Sequence, residues 1–222
     1  MGRVFRRKVM GAALAVLLAS GGQAQFFTPS FQDYRTFAQR SVGYVAATVQ
    51  PDFTAKAVKQ ALSPRATPPT YKYPLVRTDF VFRGSPTQQK NCAAMVQKID
   101  DQRQMAALCL NLFRAAQQLP DFRKNNLAAG LTLLIGLSFQ VSTGSELTDA
   151  EIASLQRGLN DLLIDSGVMK LKPAEIQAMY ETSVMTGALI IGIAQNGADD
   201  GNEELTTLAR GLAVIVLKGL GL

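Results

Sequence analysis

Apolar side chains recur every three or four positions along most of this chain, with polar residues between them, which is the pattern of amphipathic helices. The pattern predicts one helix from Phe26 to Val49, a shorter one from Asp52 to Leu62, and closely connected helices from Ser85 onward. Short connections favour antiparallel neighbours. The chain is therefore expected to be all-α, a compact bundle of six or seven helices.

Capping residues predict where several helices begin and end. Ser85 followed by Pro86 is typical of a helix start, and Gly144 suits a left-handed cap after the helix from Asn126 to Val141. That helix is apolar nearly all round, which indicates burial at the centre of the bundle. Thr148 and Glu151 fit a capping box.

The last two helices are also delimited by sequence signals. Pro173 is expected to open the first of them and Asn196-Gly197 to end it, since glycine often terminates a helix. The final helix is predicted from about Glu203 to Leu220.

Residues 63–75 contain four prolines, which prevent a regular helix or a central strand. The next residues alternate apolar and polar side chains in part, and they predict a short extended strap near residues 76–82 that lies across the helices. The expected organisation is a signal peptide over 1–24, an N-terminal helical segment and Pro-rich linker over 25–75, and a helical domain over 76–222.

The N-terminus resembles a secretory signal peptide. Four basic residues precede an apolar run from Val9 to Leu18, and small residues around Ala24 suit cleavage after that position. An uncleaved anchor is the alternative, but this run is much shorter than the ~20 residues that span a bilayer. We expect a periplasmic or extracellular protein without a stable transmembrane span after cleavage.

Cleavage changes the charge of the chain. Four of its 23 basic residues and none of its 17 acidic residues lie before residue 25, so the mature chain has a net charge of +2. No basic stripe interleaved with aromatic residues is visible, and we expect no nucleic-acid partner.

The chain contains no histidine. This excludes Ser-His-Asp and Cys-His catalytic arrangements and the usual zinc sites. The sequence accordingly predicts no catalytic, metal-binding or cofactor-binding residue.

Cys92 and Cys109 are the candidate disulfide pair. A turn at Asp100-Asp101 would place them at the same level on two antiparallel helical arms, and a bridge there would contribute about 3 kcal/mol. One straight helix would instead separate them by about 25 Å. A redox-active role is disfavoured because the spacing is not Cys-x-x-Cys.

Three other groups of residues are candidate sites. The acidic stretch around Asp199 to Glu204 could hold calcium, but its spacing does not match an EF-hand, and acidic residues also favour a helix N-terminus. Tyr180 and Glu181 could suggest general acid chemistry, but Tyr180 fits a packed ring with a bonded hydroxyl better. The glycines of that helix, including Gly187 and Gly197, are expected to admit neighbouring side chains.

Several stretches carry a resemblance to a known family: residues 125–131 through Gly144, the helix begun at 147–149, the Tyr180-Glu181 pair, and the closing glycine-rich and leucine-rich residues. Over roughly residues 80–222 the chain resembles an exported bacterial domain-of-unknown-function family numbered 6683. The resemblance implies a helical exported protein and supplies no catalytic residue.

Three functions remain open from the sequence. The first is a non-catalytic exported domain that binds a protein or a cell-envelope component. The second is a carboxylate-based hydrolase, which requires a concave pocket with two acidic groups. The third is a membrane-active protein whose apolar helices unfold onto lipid.

Overall fold

A computed structural model describes residues 31–48, 51–62, 70–94, 96 and 99–222 of the chain. The predicted signal peptide, its cleavage site after Ala24 and most of the Pro-rich linker lie outside these residues. The described part contains eight α-helices: α1 (Phe31–Thr48), α2 (Pro51–Leu62), α3 (Gln89–Ala93), α4 (Ile99–Ala116), α5 (Leu127–Thr143), α6 (Asp149–Asp165), α7 (Pro173–Asp199) and α8 (Glu203–Gly219).

The long helix α7 is the centre of the bundle. It packs against α5 and α8 most extensively and also against α4 and α1, while α6 covers α5 and α2 covers α6. In the described residues the only β-type pairing is an isolated bridge between Asp79 and Asn126. The all-α compact bundle is therefore confirmed, with one helix more than the upper predicted number.

Helix α5 is buried on nearly every side, as its uniform apolar character predicts. Leu127, Leu131, Leu134 and Ile135 are at most 1% exposed. Its N-cap Asn126 accepts a hydrogen bond from the Ala129 amide. The left-handed cap expected at Gly144 and the capping box of Thr148 and Glu151 are also confirmed.

Helix α7 begins at Pro173 as predicted, but the predicted end at Asn196-Gly197 is wrong. The helix continues to Asp199, and Gly197 is buried inside it. A Cβ atom on Gly197 would lie 2.7 Å from both the backbone nitrogen and the Oγ1 of Thr206. This glycine is therefore needed for the close approach of α8.

The same close approach occurs between α7 and α5. A Cβ atom on Gly187 would lie 3.1 Å from the Cα of Leu134, which is backbone and cannot swing away. The expectation that glycines of this helix admit neighbouring groups is confirmed at Gly187 and Gly197.

Two predicted boundaries around α3 and α4 are wrong. Helix α3 begins at Gln89 rather than after Ser85, because the preceding amides are bonded to a side chain of α7. Helix α4 begins at Ile99, so Asp100 and Asp101 lie in its first turn instead of forming a break. Acidic residues stabilise that end of a helix through its dipole.

The N-terminal helices contribute to the same core as the rest of the described chain. Tyr34, Phe37, Val42 and Val45 of α1 are buried against it, on the face that the helical spacing predicts. Helix α1 packs on α8 and α7.

The predicted strap near residues 76–82 is part of a longer run without α-helix, residues 71–88, which we call the crossing segment. It includes a 3-10 turn at Leu75–Thr78 and extended residues after it. Thr78 is fully buried, whereas Val81 is 71% exposed. The segment is thus a strap laid on the helices, and its residues do not form a strand.

Among the described residues, α7 alone is long and apolar enough to cross a membrane. However, 94% of its most apolar 18-residue window is buried inside the protein. Its composition is explained by its position at the centre of the core.

Candidate functional site

An open groove of about 460 Å³ lies between α5 and α6 and is the main candidate site. Most of its lining is apolar. The residues that line it are Leu119, Pro120, Asp121, Phe122, Arg123, Ala129, Thr132, Leu133, Gly136, Leu137, Gln140, Glu146, Leu147, Asp149, Ile152, Ala153, Gln156 and Ile191.

The two walls are single faces of two helices. The lining positions of α5 run from Ala129 to Gln140 at intervals of three and four residues, which is one helical stripe about 16 Å long. The lining positions of α6, from Asp149 to Gln156, follow the same spacing. A Cβ atom on Gly136 would meet only a Leu147 methyl group, at 3.9 Å, so the floor there is open.

The segment before α5 closes one end of the groove and contains unusual backbone geometry. Asp121 and Asn125 both have positive φ, at 63° and 54°. Such conformations are uncommon for residues other than glycine and tend to occur at functional sites. Phe122, between them, stacks on the ring of Tyr180 with a centroid distance of 6.4 Å.

An ion pair fastens this loop to the crossing segment. The Arg123 guanidinium donates to both carboxylate oxygens of Asp79, at 2.8 and 2.6 Å. These hydrogen bonds, with a further one from Asn126, hold the pKa of Asp79 below its usual value against the opposing effect of burial. The charge of Arg123 is therefore balanced by Asp79.

The charged side chains of the groove stand at its ends. Asp121 belongs to the loop before α5, whereas Glu146 and Asp149 belong to the turn after it and to the start of α6. All three are exposed, and Glu146 accepts a hydrogen bond from Gln140 at 3.1 Å. The groove thus has an apolar middle and acidic ends.

These acidic groups do not form a metal site. In the described residues no group of three or more Asp, Glu, Cys or His side chains is placed to hold a metal ion. The acidic stretch from 199 to 204 is used structurally instead: Asn202 caps α8, and Asp199 accepts from Gln195.

Tyr180 lies fully buried behind the groove in a cluster of aromatic rings. Its ring contacts Phe80, Phe113 and Phe122, the first two edge to face. Its hydroxyl accepts hydrogen bonds from Gln117 at 2.6 Å and from the Asn125 amide at 3.2 Å. Burial raises the pKa of Tyr180 to about 12, although both hydrogen bonds act in the opposite direction. The tyrosine is a packed ring that supports the loop.

Glu181, next in sequence, is also fully buried and anchors the crossing segment. Its Oε2 accepts from the amides of Thr87 and Gln88, at 2.7 and 2.9 Å. Its Oε1 accepts from the side chain of Gln177 at 2.8 Å. The carboxylate thus serves as a cap for the chain entering α3.

Two buried asparagines hold the middle of the crossing segment. The side-chain Nδ2 of Asn126 donates to the Leu75 carbonyl and to Thr78 Oγ1, both at 2.9 Å. Asn160 of α6 accepts from Thr78 Oγ1 at 2.9 Å and donates to the Tyr73 carbonyl at 3.1 Å. The backbone polar groups of the segment are therefore bonded to helix side chains.

At the start of the crossing segment the partners are two acidic residues of α6, the half-buried Asp161 and the exposed Asp165. Asp161 accepts from the amides of Lys72 and Tyr73. Asp165 accepts from the side chains of the same two residues, at 2.6 and 3.0 Å, and these bonds lower its pKa.

A second, smaller cavity of about 300 Å³ lies between α1, α3 and α7. It is lined by Phe37, Arg40, Ser41, Tyr44, Gln88, Asn91, Ala94, Thr182 and Met185. Gln88 and Asn91 are bonded to each other there, at 2.5 Å.

The candidate cysteines are placed close together. Cys92 of α3 and Cys109 of α4 lie at disulfide-bonding distance, with Cα atoms 6.5 Å apart and both side chains buried. The arrangement differs from the predicted one, because α3 ends at Ala93 and α4 begins at Ile99, so Asp100-Asp101 is not the turn between them.

Sequence reasoning missed the residues that anchor the crossing segment. Asn126, Asn160, Gln177 and Glu181 were not recognised as its partners. Their common signal is a polar side chain at a position that helical spacing places in the core. Such a residue needs a hydrogen-bond partner, which a nearby segment without helix or sheet pairing can supply.

The fold and the groove define a class: an all-helical protein with a side-chain-anchored crossing segment and an apolar groove with acidic ends. The chain belongs to a family of unknown function, DUF6683, whose profile matches residues 4–222. The match extends well beyond the predicted range of 80–222 and covers nearly the whole chain. No curated protein and no solved structure gave a significant match.

Proposed function

We propose that this protein is an exported, non-catalytic binding protein that holds an apolar ligand in the groove between α5 and α6. The observation that carries the proposal is the groove itself. It is a concave space of about 460 Å³ with a mostly apolar lining and several polar side chains. Sites for apolar ligands have this size and lining.

Export is supported by two independent features. The first 24 residues have the basic, apolar and small-residue regions of a signal peptide. The buried cysteines at bonding distance suit an oxidising compartment. The full-length chain should be expressed in a bacterial host and recovered from the periplasm, and its N-terminus sequenced. A mature protein beginning at Gln25 is expected, and retention in the cytoplasm at full length would contradict export.

The acidic groups of the groove support binding better than hydrolysis. A carboxylate hydrolase places two acids about 5 to 10 Å apart across one bond, in environments that separate their pKa values. Here Asp121 precedes α5, whereas Glu146 and Asp149 follow it, so the 17-residue helix lies between them along the chain, and all three are exposed. The membrane-active alternative is disfavoured because the most apolar long helix, α7, forms the core.

The binding site can be tested with the apolar dye N-phenyl-1-naphthylamine and the variant Gly136→Leu. Leucine favours a helix more than glycine does, and its side chain would fill the open floor of the groove. Gly211→Leu is the matched control, because Gly211 also lies in a helix with open space around it.

We expect saturable dye fluorescence with the natural protein and with Gly211→Leu, and its loss in Gly136→Leu. Circular dichroism should show the same helix content in all three. Dye binding that Gly136→Leu leaves unchanged, or no saturable binding at all, would overturn this site.

A further inference from the structure

We infer that the ligand of the groove is an amphipathic helix of a partner protein, with an apolar face about three turns long and a Lys or Arg at each end. This inference rests on the proposed function and names the partner class for that same groove. Three features of the groove carry it: its length, the character of its walls and the charge at its ends.

The length of the groove matches a short helix. The lining stripe of α5, from Ala129 to Gln140, is about 16 Å long, which is the rise of about eleven helical residues. Helices that dock in grooves use apolar residues at intervals of three, four and seven, so three turns supply several anchoring side chains.

The walls of the groove have the alternating large and small side chains against which a third helix can pack. Both walls are helix faces, and each alternates large side chains such as Leu133 and Ile152 with small ones: Ala129, Gly136 and Ala153. Side chains of an incoming helix can enter the spaces above the small residues, as ridges enter grooves between packed helices.

The charges at the two ends determine which helix fits. Asp121, before α5, stands at one end, and Asp149, after it, at the other. Among the described residues of the lining, the one basic residue, Arg123, is balanced by its ion pair with Asp79. Arg157 is directed elsewhere, with its guanidinium 5.7 Å from the centre of the Tyr71 ring. Both ends therefore attract basic groups.

The same charges disfavour a fatty acid as the occupant. The carboxylate of a fatty acid would lie near Asp121 at one end or near Asp149 at the other, and like charges repel. A basic residue at each end of a docked helix would instead form exposed ion pairs with these groups.

The inference is tested with two labelled peptides and fluorescence anisotropy. Both peptides are amphipathic Leu/Ala helices of about 16 residues; one carries lysines at both ends and the other carries glutamates there. The protein is used as purified from the periplasm after export of the full chain, together with Gly136→Leu and its control Gly211→Leu.

A charge variant examines the ends of the groove. Asp121→Asn with Asp149→Asn removes one acid from each end, and asparagine tolerates the positive φ of residue 121. The control, Asp200→Asn with Glu204→Gln, removes two acids that are equally exposed but lie at the α7–α8 connection.

We expect the lysine peptide to bind, the glutamate peptide to fail, and Gly136→Leu to abolish binding. The charge variant should weaken binding by about fivefold, as two exposed ion pairs would, and the control should not. Equal binding of both peptides would overturn the assignment of basic ends.

Two outcomes separate this inference from the proposed function. Dye binding that depends on Gly136, without binding of either peptide, would overturn the helix partner and leave the groove as a site for small apolar molecules. Absence of both dye and peptide binding would overturn the proposed function as well.

Discussion

The side-chain amide of Gln177 pairs with both backbone polar groups of Arg83. Its Oε1 accepts from the Arg83 amide at 2.9 Å, and its Nε2 donates to the Arg83 carbonyl at 3.1 Å. A residue of a neighbouring β-strand would make the same pair of hydrogen bonds. Gln177 of α7 thus replaces the strand that the crossing segment lacks.

Replacing Gln177 by alanine should destabilise the protein. The partly buried backbone groups of Arg83 and one buried oxygen of Glu181 would lose their partner, at a cost of about 1 to 3 kcal/mol. The free energy of unfolding, from chemical denaturation, measures this. Gln104→Ala, on the exposed face of α4, should change it by less than about 0.5 kcal/mol. Equal small effects in both variants would contradict the anchoring role.

The cysteine pair should be oxidised in the exported protein. Intact mass analysis is then expected to show two hydrogens fewer than the reduced chain. The double variant Cys92→Ala, Cys109→Ala should lose about 3 kcal/mol of stability. A reductant should lower the stability of the natural protein and leave that of the variant unchanged. Free thiols detected in the unfolded, unreduced protein would contradict the bond.

Two glycines of the helices should respond to alanine with opposite signs. Gly187→Ala places a Cβ atom against the backbone of Leu134, so it should destabilise by about 1 to 3 kcal/mol. Gly211→Ala meets nothing within 4 Å and should stabilise by up to about 1 kcal/mol. Thermal unfolding of both variants is the measurement. Stabilisation by Gly187→Ala would show that α5 and α7 are less closely packed.

The ion pair of Asp79 and Arg123 should weaken in acid. Because the pKa of Asp79 is lower in the folded protein than its usual 3.8, the pair contributes stability above that pH. This stability is lost as the pH falls through the lower, folded-state value. Both side chains are partly exposed, so Asp79→Asn should cost about 1 kcal/mol or less near neutral pH. The difference between variant and natural protein should shrink below about pH 4.

The helices could be predicted because their signals are local. The stripe of α5, the cap at Gly144 and the capping box at Thr148 are each visible within a few residues of sequence. The C-terminal end of α7 and the start of α3 could not be predicted from such local signals. The start of α3 depends on Glu181, 94 residues beyond Thr87, and the close contact of Gly197 with Thr206 forms only when α8 packs on α7.

The groove also could not be predicted from local sequence signals. The lining positions on α5 are apolar, which predicts a core face, and nothing near them in sequence indicates that α6 leaves a gap. The three acidic residues at its ends lie in connecting segments or at a helix start, where acidic residues are ordinary. Only the packing of two helices turns these positions into a site.

The anchoring of the crossing segment has a consequence for the order of folding. Its partners on α5, α6 and α7 lie 47 to 94 residues further along the chain. Contacts at such separation form slowly, because a long loop must close before any hydrogen bond compensates the lost chain entropy. In a chain that emerges N-terminus first, residues 71–88 cannot form these hydrogen bonds until the residues of α7 have also emerged. The segment should therefore dock only after α7 is available, and its amides should gain protection later than those inside α5 in pulsed hydrogen exchange during refolding.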